Sequence, residues 1–368
     1  MGRKLASVQK VKAIRPIEGA DRIEVVQVLN WDCVATKGQY HVGDLVIYFE
    51  IDSLLPDIPM LEWLKKSAWS QKLNKYKIST HKFRNQISQG LIMPIRDLTA
   101  MYNQIHNTGI SSIEYDEGDD LTEMLNIEKY EPPVSNGSLG EIISHEWYVP
   151  KTDEERIQVC AENVLPEYIK SEQDGWYASI KLDGTSCTAG LFEDAFLIGG
   201  RNQFYKDENM YTTTVKKYGD LEAKLRKNLE ETGVYMVFQG ELCGPGIQSN
   251  RLGLAEKEWF IFNVFVSTTG TYDSYEKLEL IPMLAMCKKF GLKHVPIVEN
   301  EYKFDFKGYE SNDDIVKGLL NYVDTFKYRT YFEDAAPSQI AEGLVFRLND
   351  MTNSFKVVSN KFLLKGGE

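Results

Sequence analysis

The sequence predicts an α+β protein of two modules, a small N-terminal β-barrel and a larger second domain of strand-rich segments. Three observations carry this. At 368 residues the chain is long enough for two hydrophobic cores. Residues 1–130 hold several short strand-like runs divided by Gly and Asp turns, the rhythm of a small barrel or sandwich. Residues 131–140, Glu131-Pro132-Pro133-Val134-Ser135-Asn136-Gly137-Ser138-Leu139-Gly140, have the strongest linker composition in the chain. The domains are therefore set at 1–130 and 141–368, with 131–140 between them.

In the first domain, residues 22–29, 33–36, 45–50 and 91–94 read as strands, and Gly19, Asn30-Trp31-Asp32, Lys37-Gly38 and Gly43-Asp44 as turns. A barrel of OB type fits this pattern best. Its charge is uneven: Arg3, Lys4, Lys10, Lys12 and Arg15 precede the first acid, Glu18. Residues 65–84 add Lys65, Lys66, Lys72, Lys75, Lys77, Lys82 and Arg84, interleaved with Trp69, Tyr76 and Phe83. Cations for a phosphate backbone and rings for unstacked bases are what a single-stranded nucleic-acid surface needs. Lys75, Lys77, Lys82 and Arg84 are its candidates. The competing arrangement is an amphipathic helix over 62–77, with solvated lysines and aromatics in the core. The acidic tract 114–123 reads as an exposed loop or helix start.

The second domain places isolated charges against apolar, strand-like neighbours. Residues 177–180 read as a buried strand that ends at Lys181, and Asp183-Gly184 as the turn after it. Removing water from an ammonium is costly, so Lys181 is either an exposed edge charge or a reactive amine. Gly199-Gly200-Arg201-Asn202 follows. In the run 234–242 the two-residue period puts Tyr235, Val237, Gln239 and Glu241 on one face, with Gly240 leaving room beside Glu241. Trp259-Phe260-Ile261-Phe262-Asn263-Val264 supplies rings that are either core or a base-stacking wall. Glu342 then opens an apolar strand, and Lys356 lies within another.

Composition narrows the function classes. Net charge is −12, which excludes a uniformly basic coat but leaves room for a local basic patch. No run reaches the ~18 apolar residues of a membrane span, and the basic N-terminus lacks the apolar core of a secretory signal. The five cysteines, Cys33, Cys160, Cys187, Cys243 and Cys287, are widely spaced and form no Cys-x-x-Cys pair. A reducing intracellular compartment, cytoplasmic or nuclear, and a monomer without membrane contact are expected.

The ordered set Lys181, Arg201, Glu241, Phe262, Glu342, Lys356 resembles the covalent nucleotidyltransferase superfamily. That superfamily takes in ATP-dependent RNA and DNA ligases and GTP-using mRNA capping enzymes. In its pattern Lys181-Leu182-Asp183-Gly184 is similar to the nucleophile motif and Arg201 to the arginine that follows. Glu241 is similar to the ribose-contacting acid, Phe262 to the ring over the purine, Glu342-Gly343 to the fourth motif and Lys356 to the fifth. Two places depart from it. Val358 stands where a second lysine is common, with Lys361 the nearest substitute, and Asn263 stands where acid is frequent.

DNA ligases and capping enzymes continue after the fifth motif into a further OB domain, whereas this chain ends seven residues past Lys361. The expected branch is therefore RNA ligase. Residues 17–24, 43–48, 52–56 and 87–91 resemble the N-terminal OB module of Naegleria-type RNA ligases, and residues 150–158 a further segment of that group. The resemblance implies an OB domain followed by a nucleotidyltransferase domain, the ATP-grasp-like ligase adenylation fold, built on antiparallel sheets with flanking helices. It implies ATP and Mg²⁺ (or Mn²⁺) and joining of RNA 3′-hydroxyl and 5′-phosphate ends through a lysyl-AMP on Lys181. Asp183, Glu241 and Glu342 would hold the metal, directly or through water. Gly184, Arg201, Phe262, Lys356, Lys361, Lys151 and Arg156 would complete the ATP site. The alternatives are a ligase acting on DNA or mixed nicks, and an inactive OB-containing RNA-binding protein.

Overall fold

The computed structural model describes residues 3–130, 141–143, 153–171, 175–201, 203–271, 273–298, 308–326 and 341–365. The expected linker and Lys151 lie outside the described residues. The chain forms two compact units, Met1–Pro132 together with Leu363–Glu368, and Pro133–Phe362.

The first unit is built on antiparallel strands. β1 (Ala6–Pro16), β2 (Ile23–Val28), β3 (Trp31–Thr36) and β4 (Leu45–Phe49) lead into β5 (Ser53–Leu55), a 3₁₀ turn (Pro59–Leu64) and the short helix α1 (Lys65–Ala68). β6 (Trp69–Ser70), β7 (Lys75–Lys77), β8 (Thr80–Phe83), β9 (Gln86–Gln89) and β10 (Leu91–Pro94) follow, then α2 (Leu98–His106) and β11 (Glu128–Lys129). The main sheet runs β10-β4-β1-β2-β3, beside a second sheet β11-β5-β7-β6 and the separate hairpin β8-β9. β1 serves both halves of the main sheet because a register shift between Val11 and Ala13 bends it. The strand alternation reaches the core as Ala6, Val8, Ile47 and Phe49. A continuous helix over 62–77 does not form. Helix ends at Ala68, and the left-handed Asn74 (φ 54°) turns the chain into the β6-β7 hairpin.

Among the described residues the second unit has two sheets. β12 (Ile142–Ile143), α3 (Ile157–Lys170), β13 (Trp176–Lys181), β14 (Thr185–Phe192), β15 (Ala195–Gly199) and β16 (Phe204–Tyr205) come first. α4 (Met210–Lys216), α5 (Leu221–Thr232), β17 (Tyr235–Cys243), β18 (Glu258–Ser267), β19 (Glu276–Lys277) and α6 (Leu280–Phe290) follow. β20 (Lys293–His294), β21 (Ile297–Val298), α7 (Asn312–Thr325), β22 (Gly343–Leu348), β23 (Ser354–Val358) and α8 (Asn360–Leu364) complete it. The large sheet runs β12-β16-β15-β14-β17-β18-β19 with β20 beside β18, and the small one β21-β13-β22-β23.

Side-chain period decides which layer covers which sheet. On α3, Ile157, Ala161, Val164, Leu165 and Tyr168 recur at helical spacing and pack with α7 over Trp176, Ala178 and Ile180 of β13. Tyr177, one residue out of phase, points instead into the second core, where α4, α5 and α6 cover the large sheet. β13 thus lies between two cores, which is why its run is apolar throughout. The starts of α4 and α5 are capped by side chains: Asn209 accepts from Tyr211 and Thr212 backbone N–H, and Asp220 from Ala223 N–H (2.9 Å).

All five cysteines are free and buried. Burial pushes the Cys160 and Cys287 thiols up to about 12 and the other three higher still. Among the described residues, no helix is long and apolar enough to cross a membrane.

Candidate active site

Lys181 ends β13 and is paired with Gly343, the first residue of β22. That register places Glu342 beside it, and Lys181 Nζ donates to Glu342 Oε1. The two groups differ in access: the Lys181 side chain is 23% exposed and that of Glu342 2%. The amine is therefore reachable while its carboxylate partner is closed off.

The turn after Lys181 runs against β17. A Cβ on Gly184 would sit 2.8 Å from both Cys243 Sγ and Glu241 Cγ, so only glycine lets the turn approach this closely. Glu241 pairs across the ladder with Ser186. Burial pushes its carboxyl up to about 7, against the pull of Lys181, with Asp183 raising it further and Arg201 and the Gly184 backbone N–H lowering it. Lys181, Asp183, Arg201 and Glu241 therefore share one field. Asp183 Oδ2 also accepts from Arg251 Nε at 3.0 Å.

A second set of cations converges on Asp153. Lys356 Nζ, buried on β23, donates to Asp153 Oδ1 at 2.6 Å, and Arg201 Nη2 to Asp153 Oδ2 at 3.4 Å. Arg156 bridges β23 at Lys356, whose backbone N–H bonds Glu155 O (2.8 Å), and Arg156 is buried. Residues 153–156 thus lay three acids and an arginine along the strand that carries Lys356.

Phe262 owes its position to an irregularity. β17 and β18 pair as Gln239 with Asn263 and then Gly240 with Ile261, so Phe262 is an extra residue, a β-bulge. Trp259 and Ile261 face the α4–α6 core, and so does Val264, out of phase with them. The bulge leaves the Phe262 ring partly exposed on the α3 side, with its carbonyl held by Arg347 Nη1 (2.9 Å). Arg347, buried on β22, also donates to Glu154 Oε1 through Nε (2.9 Å) and Nη2 (2.6 Å). Burial alone would raise the Glu154 carboxyl, and the Arg347 guanidinium outweighs it and holds it below its ordinary value.

No side-chain bond from Lys361 to this cluster is present among the described residues. Lys361 is the second residue of α8 and has an exposed side chain, its backbone N–H bonded to Asp324 Oδ1 (3.2 Å), and Val358 before it is buried. In the first unit, Lys75 pairs with Glu128, and Lys77 Nζ lies 3.4 Å from the Tyr130 ring centre. Lys82 and Arg84 are exposed at the end of the β8-β9 hairpin, beside Phe83, which is 42% exposed. Tyr76 is wholly buried, with Trp69 edge-on to it at 5.0 Å.

Asp153, Glu154, Arg251 and Arg347, with Gln248, whose Nε2 donates to Gly184 O at 3.3 Å, are the candidate site residues that motif reading missed. One signal was available for Arg251: an unusually long Gly/Pro-opened stretch between two strands. Among the described residues, no three His, Cys, Asp or Glu side chains gather as a metal cage. Asp183, Glu241 and Glu342 instead offer hard oxygen donors around one amine. These are the donor type that a hydrated divalent cation, which needs only one or two carboxylates, would take.

An RNA ligase family model matches residues 174–362, and an OB-fold domain model matches residues 5–95. Solved structures of Naegleria gruberi RNA ligase superpose along nearly the whole chain. Two variant forms, one with ATP and Mn and one with AMP and Mn, each give a TM-score of 0.77 at 28% identity over 99% of both chains. A form with PPi gives the same values. The shared architecture is an OB-fold domain followed by an antiparallel-sheet domain with helices. No curated protein matches the chain.

Proposed function

The chain belongs to the RNA ligase family, and from that premise we propose that it is an ATP-dependent ligase joining RNA 3′-hydroxyl and 5′-phosphate ends through a lysyl-AMP. One observation carries the reading: a partly exposed amine, Lys181, meets a buried carboxylate, Glu342, next to the Lys356–Asp153–Arg201 cluster.

The residues support three transfers. Lys181 Nζ attacks the α-phosphorus of ATP; the N–P bond forms, the bond to the β-phosphate oxygen breaks, pyrophosphate leaves and the amine loses a proton. A 5′-phosphate oxygen of RNA then displaces the lysine, taking the AMP. A 3′-hydroxyl finally attacks the activated 5′-phosphorus, losing its proton and releasing AMP as the phosphodiester forms.

A free lysine titrates near 10.4, so only about one in a few thousand is neutral at pH 7. The Glu342 carboxylate bonded to Lys181 Nζ favours the ammonium, and Arg201, Lys356 and a bound divalent cation are the charges that would favour the neutral amine. The same cations offset charge on the phosphoryl oxygens during in-line attack. Glu241 is assigned to the ribose, Phe262 to the adenine face, and Gly184 to backbone room for the phosphate. Mg²⁺ or Mn²⁺ held by Asp183, Glu241 and Glu342, directly or through water, would supply Lewis-acid stabilisation of the phosphates. Lys361 and Lys151 are assigned to the outer phosphates. The first unit, with Lys75, Lys77, Lys82 and Arg84, is assigned to the RNA strand. The five unpaired thiols support a reducing compartment.

The test is incubation with α-labelled ATP and magnesium, followed by a denaturing gel. Wild type should carry a covalent label that Lys181→Met lacks; an unlabelled wild type across pH and metals would overturn the reading. Sealing of matched all-RNA, all-DNA and mixed nicks would then separate RNA joining from the broader alternatives.

A further inference from the structure

Residues 244–257 join β17 to β18 through fourteen residues without helix or strand. A stretch this long inside a compact domain is commonly functional. Its backbone is unusual: Gln248 (φ 45°) and Asn250 (φ 44°) both occupy the left-handed region that non-glycine residues seldom enter. The loop closes on the turn that follows Lys181. Gln248 Nε2 donates to Gly184 O at 3.3 Å and Arg251 Nε to Asp183 Oδ2 at 3.0 Å.

The Arg251 guanidinium is fixed at two places. Its Nε is tied to Asp183, and its plane lies over the Phe362 ring, 4.5 Å from the ring centre. The terminal nitrogens, Nη1 and Nη2, have no hydrogen-bond partner among the described residues and retain contact with solvent. A guanidinium held by its Nε and one face presents its other edge as a rigid pair of donors. That pair matches the spacing of two phosphate oxygens.

We propose that Arg251 is a phosphate-binding residue, whose Nη pair grips in bidentate fashion a phosphate brought next to Lys181. The proposal rests on the reading of Lys181 as the nucleophile. The phosphate belongs either to ATP or to the 5′-phosphate RNA end, and the kinetic arms below tell the two apart. Were Arg251 only a counter-charge for Asp183, a lysine would serve as well, since an ammonium can form the ion pair but not the fork.

The experiment compares wild type, Arg251→Lys and Arg251→Met in two assays: lysyl-AMP formation against ATP concentration, and AMP transfer from pre-adenylated enzyme to 5′-phosphorylated RNA. Loss of a charge-assisted bidentate contact should cost roughly ten- to a hundredfold. A rise of that size in the KM for ATP, in both variants, identifies the nucleotide phosphate. An unchanged KM with transfer slowed equally in both variants identifies the RNA end. Full recovery in Arg251→Lys, or no effect in either variant, overturns the proposal. A wild type that forms no lysyl-AMP would instead refute the nucleophile assignment.

A second measurement needs no variant. Phenylglyoxal modification of Arg251 in the wild-type protein, mapped by mass spectrometry, should be suppressed several-fold by inorganic pyrophosphate or by 5′-phosphorylated RNA. Equal modification with and without both probes would overturn the proposal even if the variants failed to fold.

Discussion

A single missing methyl group controls how closely the nucleophile turn meets the large sheet. Gly184→Ala would push a Cβ into Cys243 Sγ, Glu241 Cγ and the Leu242 carbonyl, two of which belong to backbone or a fully packed thiol. It should cost about 1–3 kcal/mol in urea unfolding and cut lysyl-AMP formation at least about tenfold, or ~1.4 kcal/mol; a wild-type labelling rate would dismiss the close approach as unimportant. Glu342→Ala removes the carboxylate bonded to Lys181 Nζ. It should slow labelling to at least the same degree (about tenfold), and unaffected labelling would count against the role given to Glu342. At this scale the sequence was readable wherever a charge stood alone in an apolar strand. Lys181, Glu241, Glu342 and Lys356 could all be picked out that way, because burying an unpaired charge is costly and therefore conspicuous. Asp153 and Arg251 escaped because they sit in irregular backbone, where no period marks a face and only tertiary contact reveals the partner.

Among the elements, β17 and β18 show where periodicity works and where it fails. The two-residue alternation of β17 predicted that Gln239 and Glu241 share a face, and its even positions Met236, Phe238 and Leu242 do pack in the opposite core. β18 is apolar on both sides, so nothing in Trp259-Phe260-Ile261-Phe262 announces the bulge that sets the Phe262 ring. The bulge is braced by Arg347, itself paired with Glu154 at side-chain exposures of 4% and 13%. Breaking so enclosed a pair by Arg347→Met should remove about 3–5 kcal/mol from the unfolding free energy and, through the loosened Phe262, raise the KM for ATP. The sign of the pH dependence follows from the lowered Glu154 value. The stabilisation is complete above the unfolded carboxylate value near 4.5 and is lost as pH falls through the lower folded value. Urea midpoints of wild type and variant should therefore converge on acidification; a gap that stays constant from pH 7 into acid would show that the ion pair is not its source.

For the molecule as a whole, the α+β, two-module outline was legible because turn chemistry, strand rhythm and a Pro/Gly/Ser-rich stretch all pointed the same way. What stayed hidden was the fate of residues 62–77, where helical spacing of lysines competed with the β6-β7 hairpin and lost once Tyr76 found a place in the core. The two modules should separate functionally. Lys82→Ala combined with Arg84→Ala should weaken capture of RNA and reduce the slope of log affinity against log salt by about 1.4, for two phosphate contacts to a single strand. Lysyl-AMP formation should stay at the wild-type rate, and an equal fall in both would make the hairpin a structural support instead. The concealed thiols, finally, give the molecule a chemically silent exterior. With none of its sulfhydryls able to present a thiolate at neutral pH, a maleimide dye would find no native target, so one cysteine engineered at the hairpin tip would be the sole attachment point for fluorescence. The wild-type background could then be kept intact while the arrival of a polynucleotide is watched in real time.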